Sequence, residues 1–544
     1  MHPSQLYNVK DGIYANPNGP TFIPHPLPIL NVGDSRLEMA ASEVHLPDSC
    51  LSTEIDSLHA TLEEFRQRAG YGRAIAAPQT GIMKRVVAMN LGAGRITLIN
   101  PEITWRSDDC IEVWDDCLSV SDKIVRVRRH RSISIVYRDE QWRKRVWNQV
   151  SPDLSELLQH EIDHLKGILM LSRAVAEDAI RPIAEWKQLV AVGRPAHRLS
   201  VAQIARASGM IDPVFRDTPQ YESDALNEAL NCRITLKVET VNPIRSFKGR
   251  GTDFLLQELD ARGETRPLVC ASAGNFGQAL AYSGRKRKRK VIVFASSLAN
   301  PGKLDMVRSL GADLRIAGRD FDAAKATAKE FAAAENACMV EDGQEPEISE
   351  GAGTIAVELL AADPAFDHLL LPVGNGALLN GCARWFKAAS PGTIILGVVA
   401  AGADCMRQSF ERRSAVQTDS VRTIADGIAV RAPIPMAVSD MCDIVDDIHS
   451  VDDAEIIEAM RLLYRTAALF VEPAAAAGLA AVLAQPEHFA GKSVVLVLTG
   501  AHLTKAQLQD WVLGALPVDS ADASRLDSVR CSMDSHRFSY GRYL

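Results

Sequence analysis

RITLKVETVNPIRSFKGRG, residues 233–251, passes from an apolar run into a loop bearing proline and glycine, and then into an apparent helix over 252–259. The same order returns where PLVCA meets SAGNFGQ (267–278), where HLLLPV meets GNGALLNG (368–381), and where SVVLVL meets TGAHLTK (493–505). Strands that alternate with helices predict a mostly parallel sheet, because parallel neighbours need a crossover between them. Such sheets take ligands in the loops at the carboxyl ends of their strands. All four loops are therefore candidate walls of a site.

Upstream the pattern changes. Residues 24–175 mix the β-like alternations RVVAMNL, RITLIN and SISIVYRD with one helix before them (51–69) and one after (152–165). That order predicts an α+β unit. The stretch 181–200, with two prolines and a glycine, reads as a partly helical connection. The expected organisation is a first unit over 24–175, a linker over 176–196, a second unit over 197–515 and a disordered tail over 516–544.

At 544 residues the chain is long enough for roughly three folding units. Hydrophobic residues make up 47% and charged residues 24%, a balance that excludes a disordered or fibrous chain. The formal net charge of −8 gives no reason to expect nucleic acid or an anionic membrane as partner. GRKRKRK at 284–290 is the one basic run, and its position before an apolar strand reads as a solvated loop. No stretch approaches a membrane span, no signal peptide is visible, and ten cysteines without a CxxC pair suit reduced thiols. A cytoplasmic protein is expected.

QHEIDHLKG at 159–167 places His160 and His164 four residues apart, with Glu161 beside the first. On a helix both imidazoles share a face and can reach one metal, leaving Glu161 next to it to take a proton from water. With 13 histidines in the chain, HExxH arises by chance in roughly 2% of such sequences, so the motif carries weight. A catalytic metal needs a third protein ligand. Met170 stands where an extended zincin would have histidine, while Glu185 and Cys117 remain as alternatives.

GRAIAAPQTG (72–81), DDCLS (115–119) and HEIDHLKGIL (160–169) follow one another as in peptide deformylases, which residues 24–175 resemble. The resemblance implies that Cys117, His160 and His164 bind Fe²⁺ or Zn²⁺ and that Glu161 shuttles the proton. It also implies that Gln79 and the backbone N–H of Leu118 stabilise the oxyanion. The chain departs from the family at Ala74, usually glycine, and at Asp115 and Asp116, usually Glu-Gly. Ala74 adds a methyl group where substrate backbone lies, and Asp116 adds a charge beside Cys117.

In the second half, Lys248 sits where a lysine could form a Schiff base with a carbonyl cofactor, and the glycine loop at 374–377 could cradle a phosphate. NPIRSFKGRG, ASAGNFGQALA, PGKLDMVRSLGA, EGAGTIAVEL, LPVGNGALLNG, TIADGIAV and VEPAAAAGLAA occur in the order of threonine and serine dehydratases. Residues 197–515 thus resemble the tryptophan-synthase-like, fold type II class of pyridoxal-phosphate enzymes, with two parallel-sheet subdomains.

The resemblance implies Lys248 as Schiff-base lysine and general acid/base, with Phe247 beside it in the cofactor site. Asn275 would bond the cofactor's 3′-oxygen, and Gly374, Asn375, Gly376 and Ala377 would hold its phosphate. Thr499 would face the pyridine nitrogen and leave it unprotonated, which favours elimination. Racemases of this class carry a second serine where Ala273 stands, which also favours elimination. Alanines at the start of AAGADC (400–405) predict no structural cation, and the short tail predicts no regulatory domain.

The combined expectation is a bifunctional enzyme. One half hydrolyses a formyl-peptide or other N-formyl amide. The other β-eliminates L-threonine, L-serine or a related amino acid to a 2-oxo acid and ammonia. The alternatives are a β-replacement synthase, or a lyase whose deformylase half has become a docking module. A homodimer is compatible with the resemblance.

Overall fold

The computed structural model describes residues 25–69, 72–176, 179–183, 197–272, 274–299, 301–363 and 366–514. Ala273, Glu185, the tail 516–544 and most of the linker 176–196 lie outside the described residues. The chain divides into two compact units, residues 1–90 with 95–191 and residues 91–94 with 192–544.

In the first unit the helix Leu51–Ala69 buries Leu51, Ile55, Leu58, Leu62 and Phe65, a three-to-four-residue spacing that makes one apolar stripe. That stripe shares a core with Ile75, Val86, Ala88 and Ile99. These belong to an antiparallel sheet of β1 (Ala74–Ala76), β2 (Val86–Asn90), β3 (Arg95–Arg106), β6 (Ile133–Arg138) and β7 (Lys144–Trp147). Its five strands lie side by side in that same order. A three-stranded antiparallel sheet joins β4 (Cys110–Cys117), β5 (Val120–His130) and β8 (Ile180–Pro182). The helix Pro152–Leu165 begins on proline, whose missing N–H is no loss in the first turn, and is buried along nearly its whole length.

The second unit holds two sheets. The larger comprises β9 (Gln220–Glu222), β10 (Arg233–Val238), β15 (His368–Pro372), β16 (Ile394–Ala400), β17 (Asp447–Val451) and β18 (Ser493–Leu498). Its order is β17-β16-β15-β18-β10-β9, and it is parallel except for the edge strand β9. Along β18, Val494, Leu496 and Leu498 enter the core on one face, and Val495 and Val497 enter the core on the other. A strand covered on both faces must be apolar throughout, which is why SVVLVL shows no alternation. The smaller sheet comprises β11 (Leu268–Ala271), β12 (Val291–Ala295), β13 (Asp313–Ile316) and β14 (Cys338–Met339). It is wholly parallel, in the order β13-β12-β11-β14.

Two sequence expectations change. The helix after β10 starts at Lys248, not at 252, and runs to Ala261. Gly249 and Gly251 read as loop formers but lie inside the helix, where a Cβ would meet the Phe215 ring at 2.2 Å and the Ile348 carbonyl at 2.4 Å. Their role is close packing. The basic run 284–290 is not a freely solvated loop. It ends the helix Asn275–Lys286, and Arg287 and Arg289 are tied to Asp253 and Asp260 at 2.6 and 2.7 Å.

Candidate functional sites

The helix Pro152–Leu165 carries His160 and His164 one turn apart, both buried. A register shift in the β4–β5 hairpin falls between Asp116 and Cys117, at the point where Cys117 turns inward. Cys117 Sγ lies 3.2 Å from His164 Nε2, which lies 3.1 Å from His160 Nε2. These three ligand atoms all fall within 4.8 Å of one another. One thiolate and two imidazoles suit Fe²⁺ or Zn²⁺, and three protein donors leave a coordination position for substrate. The donor set fits the metal.

Around the donors is a second layer. Asp115 is buried with Oδ1 3.0 Å from His160 Nδ1, while Arg129 donates to its Oδ2 at 2.7 Å. Arg129 also pairs with Asp163 at 2.5 Å, and Asp163 with Arg173 at 2.7 Å. A carboxylate on the remote nitrogen fixes the ring's tautomer and orientation, so Asp115 acts as a prop for His160. Asp116 points the other way and is exposed.

Glu161 is buried, its Oε2 has no hydrogen-bond partner, and burial pushes its carboxyl up to about 7. Gln79 accepts from the Ala76 N–H at 2.8 Å and donates to Ser119 Oγ at 3.2 Å and Cys117 Sγ at 3.6 Å. Leu118 follows Cys117 directly and is half-buried.

The second site is built from loops at strand ends. The loop after β10 is zipped to the loop after β18, with Phe247 N donating to Thr499 O at 3.1 Å and Ala501 N to Arg245 O at 3.1 Å. Arg250 anchors the helix that begins at Lys248. It is fully buried, bonded to Glu239 at 2.8 Å and Glu358 at 2.6 Å. One cavity of about 650 Å³ is lined by Phe247, Lys248, Asn275, the 374–377 loop and Thr499, which brings the sequence-expected residues of this half together.

Gly376 caps the helix Ala377–Ala389 with φ +89°, a left-handed conformation that glycine adopts without strain. A Cβ on Gly374 would stand 2.9 Å from the Gly427 carbonyl. This glycine turn at a helix N-terminus is a fitting cradle for phosphate. Asn275 Nδ2 donates to Glu472 Oε1 at 2.7 Å, while Asn275 Oδ1 is buried without a partner. Lys248 Nζ stands 4.6 Å from the centre of the Phe247 ring and 2.6 Å from Asp342 Oδ2. A lysine, an amide with an unpaired oxygen and a phosphate cradle on one cavity fit pyridoxal phosphate.

Three residues escaped the sequence reading: Asp342, Glu472 and the Arg129 that buttresses Asp115. Asp342 lies in an EDG turn and looked like any turn aspartate. The only trace of Glu472 is its place before a proline at a helix start.

The polypeptide deformylase family model matches residues 26–179, and that of the pyridoxal-phosphate dependent enzymes matches residues 211–500. The chain is similar to the biosynthetic L-threonine dehydratase IlvA of Bacillus subtilis, with 30% identity over 57% of this chain and 75% of the relative. The IlvA of Halalkalibacterium halodurans is 28% identical over 58% of this chain and 76% of its own. Among solved structures, the processed form of threonine deaminase isoform 2 from Solanum lycopersicum aligns with a TM-score of 0.53 and 26% identity, covering 57% of this chain and 87% of that one.

Proposed function

The chain belongs to the pyridoxal-phosphate-dependent enzymes and carries a polypeptide deformylase domain ahead of that unit, and on this premise we propose a bifunctional enzyme. Its second unit is a threonine-dehydratase-like lyase that releases a 2-oxo acid and ammonia from a β-substituted amino acid. Its first is a metal-dependent hydrolase of N-formyl amides. The observation that carries the lyase reading is Lys248 Nζ in the same cavity as Asn275, Thr499 and the 374–377 cradle.

Bound pyridoxal phosphate supplies a sink for the electron pair left on the substrate's Cα. The backbone N–H groups of the 374–377 loop hold the phosphate. Lys248 Nζ takes the α-proton, and Phe247 packs beside it. Asn275 and Thr499 orient the ring, and the uncharged Thr499 hydroxyl brings no proton to the ring nitrogen. In the first unit a bound Fe²⁺ or Zn²⁺ supplies a Lewis acid and lowers the pKa of water. Cys117, His160 and His164 hold it. Glu161 takes the proton from the attacking water, and Gln79 with the Leu118 N–H faces the developing oxyanion.

The test is to record the absorption spectrum of purified protein before and after L-threonine or L-serine, with 2-oxo acid assayed in the same tube. A cofactor band that responds to the amino acid with steady oxo-acid release is expected. Absence of any cofactor band sinks the Lys248 assignment. Formyl-peptide hydrolysis that is lost on chelation and restored by Fe²⁺ or Zn²⁺ is expected of the first unit. Hydrolysis indifferent to chelation rules out the metal reading.

A further inference from the structure

The turn after β14 sends two neighbouring carboxylates in opposite directions. Glu341 pairs with Lys325 at 2.7 Å and Lys329 at 2.9 Å. Asp342 faces the cofactor cavity, with Oδ2 2.6 Å from Lys248 Nζ and Oδ1 buried without a hydrogen-bond partner. The other basic side chains lining the cavity are already engaged, Lys303 with Asp426 and Arg431 with Asp322. Asp320 and Asp419 add further negative charge to the lining.

Lys248 is therefore the one cation among the described lining residues that serves Asp342. Catalysis withdraws that cation, because Lys248 Nζ must join the cofactor and then move the α-proton. A mostly buried carboxylate that loses its counter-charge is unfavourable until another arrives. Nothing else in the described lining can supply one, so the substrate must. Asp342 is one hydrogen bond from the group that works on Cα, which places the complementary charge on Cβ and not at the far end of a long side chain.

We propose that Asp342 sets substrate specificity, selecting amino acids with a β-ammonium group, of which 2,3-diaminopropionate is the simplest, over β-hydroxy amino acids. The inference rests on the lyase reading above. The chemistry balances without a further reactant. Lys248 takes the α-proton, the electron pair of that bond forms the Cα–Cβ double bond, and the Cβ–N bond breaks with its pair leaving on nitrogen as ammonia. Hydrolysis of the remaining enamine gives the second ammonia, so that 2,3-diaminopropionate and water yield pyruvate and two ammonia. A β-ammonium leaves as a neutral molecule without being given a proton. A β-hydroxyl must be handed one as it leaves.

The test compares L-2,3-diaminopropionate, L-serine and L-threonine as substrates of the full-length holoenzyme, wild type and Asp342→Asn. A second readout avoids turnover. L-2,4-diaminobutyrate and L-homoserine have no leaving group on Cβ, and their binding is read from the shift of the cofactor's absorption band. One charge-assisted hydrogen bond corresponds to about 10- to 100-fold. The wild type is expected to prefer 2,3-diaminopropionate to serine by at least that lower factor in kcat/KM. It is also expected to bind 2,4-diaminobutyrate more tightly than homoserine, and Asp342→Asn is expected to remove both preferences.

If serine or threonine is turned over as well as or better than 2,3-diaminopropionate, the specificity proposal is overturned while the lyase reading stands. A wild-type preference that persists in Asp342→Asn overturns the role of this residue. Absence of both a cofactor band and oxo acid from every substrate overturns the lyase reading and this proposal with it.

Discussion

Asp115 in the first unit and Glu472 in the second are both buried carboxylates beside a proposed reaction centre, yet their surroundings differ. Asp115 lies between His160 and Arg129. Burial works to raise its pKa, but the His160 ring and the Arg129 guanidinium hold it well below the usual carboxylate range. Among the described residues Glu472 is held by hydrogen-bond donors and not by an ion pair. Its hydrogen bonds come from Asn275 Nδ2 at 2.7 Å and the His502 N–H at 3.2 Å, and burial, helped by Asp426, pushes it up to about 7. The first unit keeps a permanent charge beside His160, the proposed metal ligand that it holds in place. The second keeps a carboxyl that can be neutral on the wall of the cavity proposed for the cofactor. A buried charge is tolerable only when paired, so each unit's carboxylate reports what its site is built to hold.

The sharpest way to break this contrast is to disable each site and read the other. Lys248→Ala is expected to lower 2-oxo acid release by about 100- to 10,000-fold while leaving metal content and formyl-peptide hydrolysis unchanged. His164→Ala is expected to abolish metal retention and hydrolysis while leaving the cofactor spectrum intact. Activity assays and metal analysis on the same preparations decide the matter. If either substitution disables both activities, the two sites do not work independently.

A smaller effect separates the two carboxylates themselves. The carboxyl of Glu472 is raised from the ordinary 4.5 to about 7, so the folded state binds a proton that the unfolded state has released between those values. Its contribution to stability is present below the lower value and is lost as pH rises through the upper one, by about 3 kcal/mol. Denaturant unfolding of wild type and Glu472→Gln at a series of pH values is expected to show the variant with the flatter profile across that window. Parallel profiles would mean that Glu472 stays ionised in the fold.

How much of each site was legible in the sequence follows from how each is made. His160 and His164 share a helix face, so four-residue spacing alone places them together. Cys117 comes from a distant hairpin, and only the resemblance selected it over Glu185. Asp115 read as a departure from the family, because no local pattern tells a buried prop under His160 from a surface acid. In the second unit the strand–loop–helix rhythm exposed the parallel sheets, and Lys248 was found through its loop. The helix start was misplaced by four residues, since Gly249 and Gly251 signal a loop until Phe215 and Ile348 are seen against them. Asp342 was invisible for a related reason. Its partner Lys248 is 94 residues away, and a pair at that separation is made by the meeting of two loops.

The finest test concerns a backbone position, where the second unit relies on geometry that the first supplies with side chains. Gly376 holds φ +89°, and an added Cβ would stand 3.2 Å from Asn380 Nδ2. That amide donates to the Ala437 carbonyl at 2.8 Å, so the crowding disturbs a buried hydrogen bond as well as the turn. Gly376→Ala is expected to destabilise the second unit by about 1–2 kcal/mol through left-handed strain. It is also expected to weaken pyridoxal phosphate more than it weakens pyridoxal, because the strain falls on the N–H groups proposed to hold the phosphate. Metal content of the first unit should not move. Equal weakening of both forms of the cofactor would place the phosphate elsewhere and leave the 374–377 loop as a packing element alone.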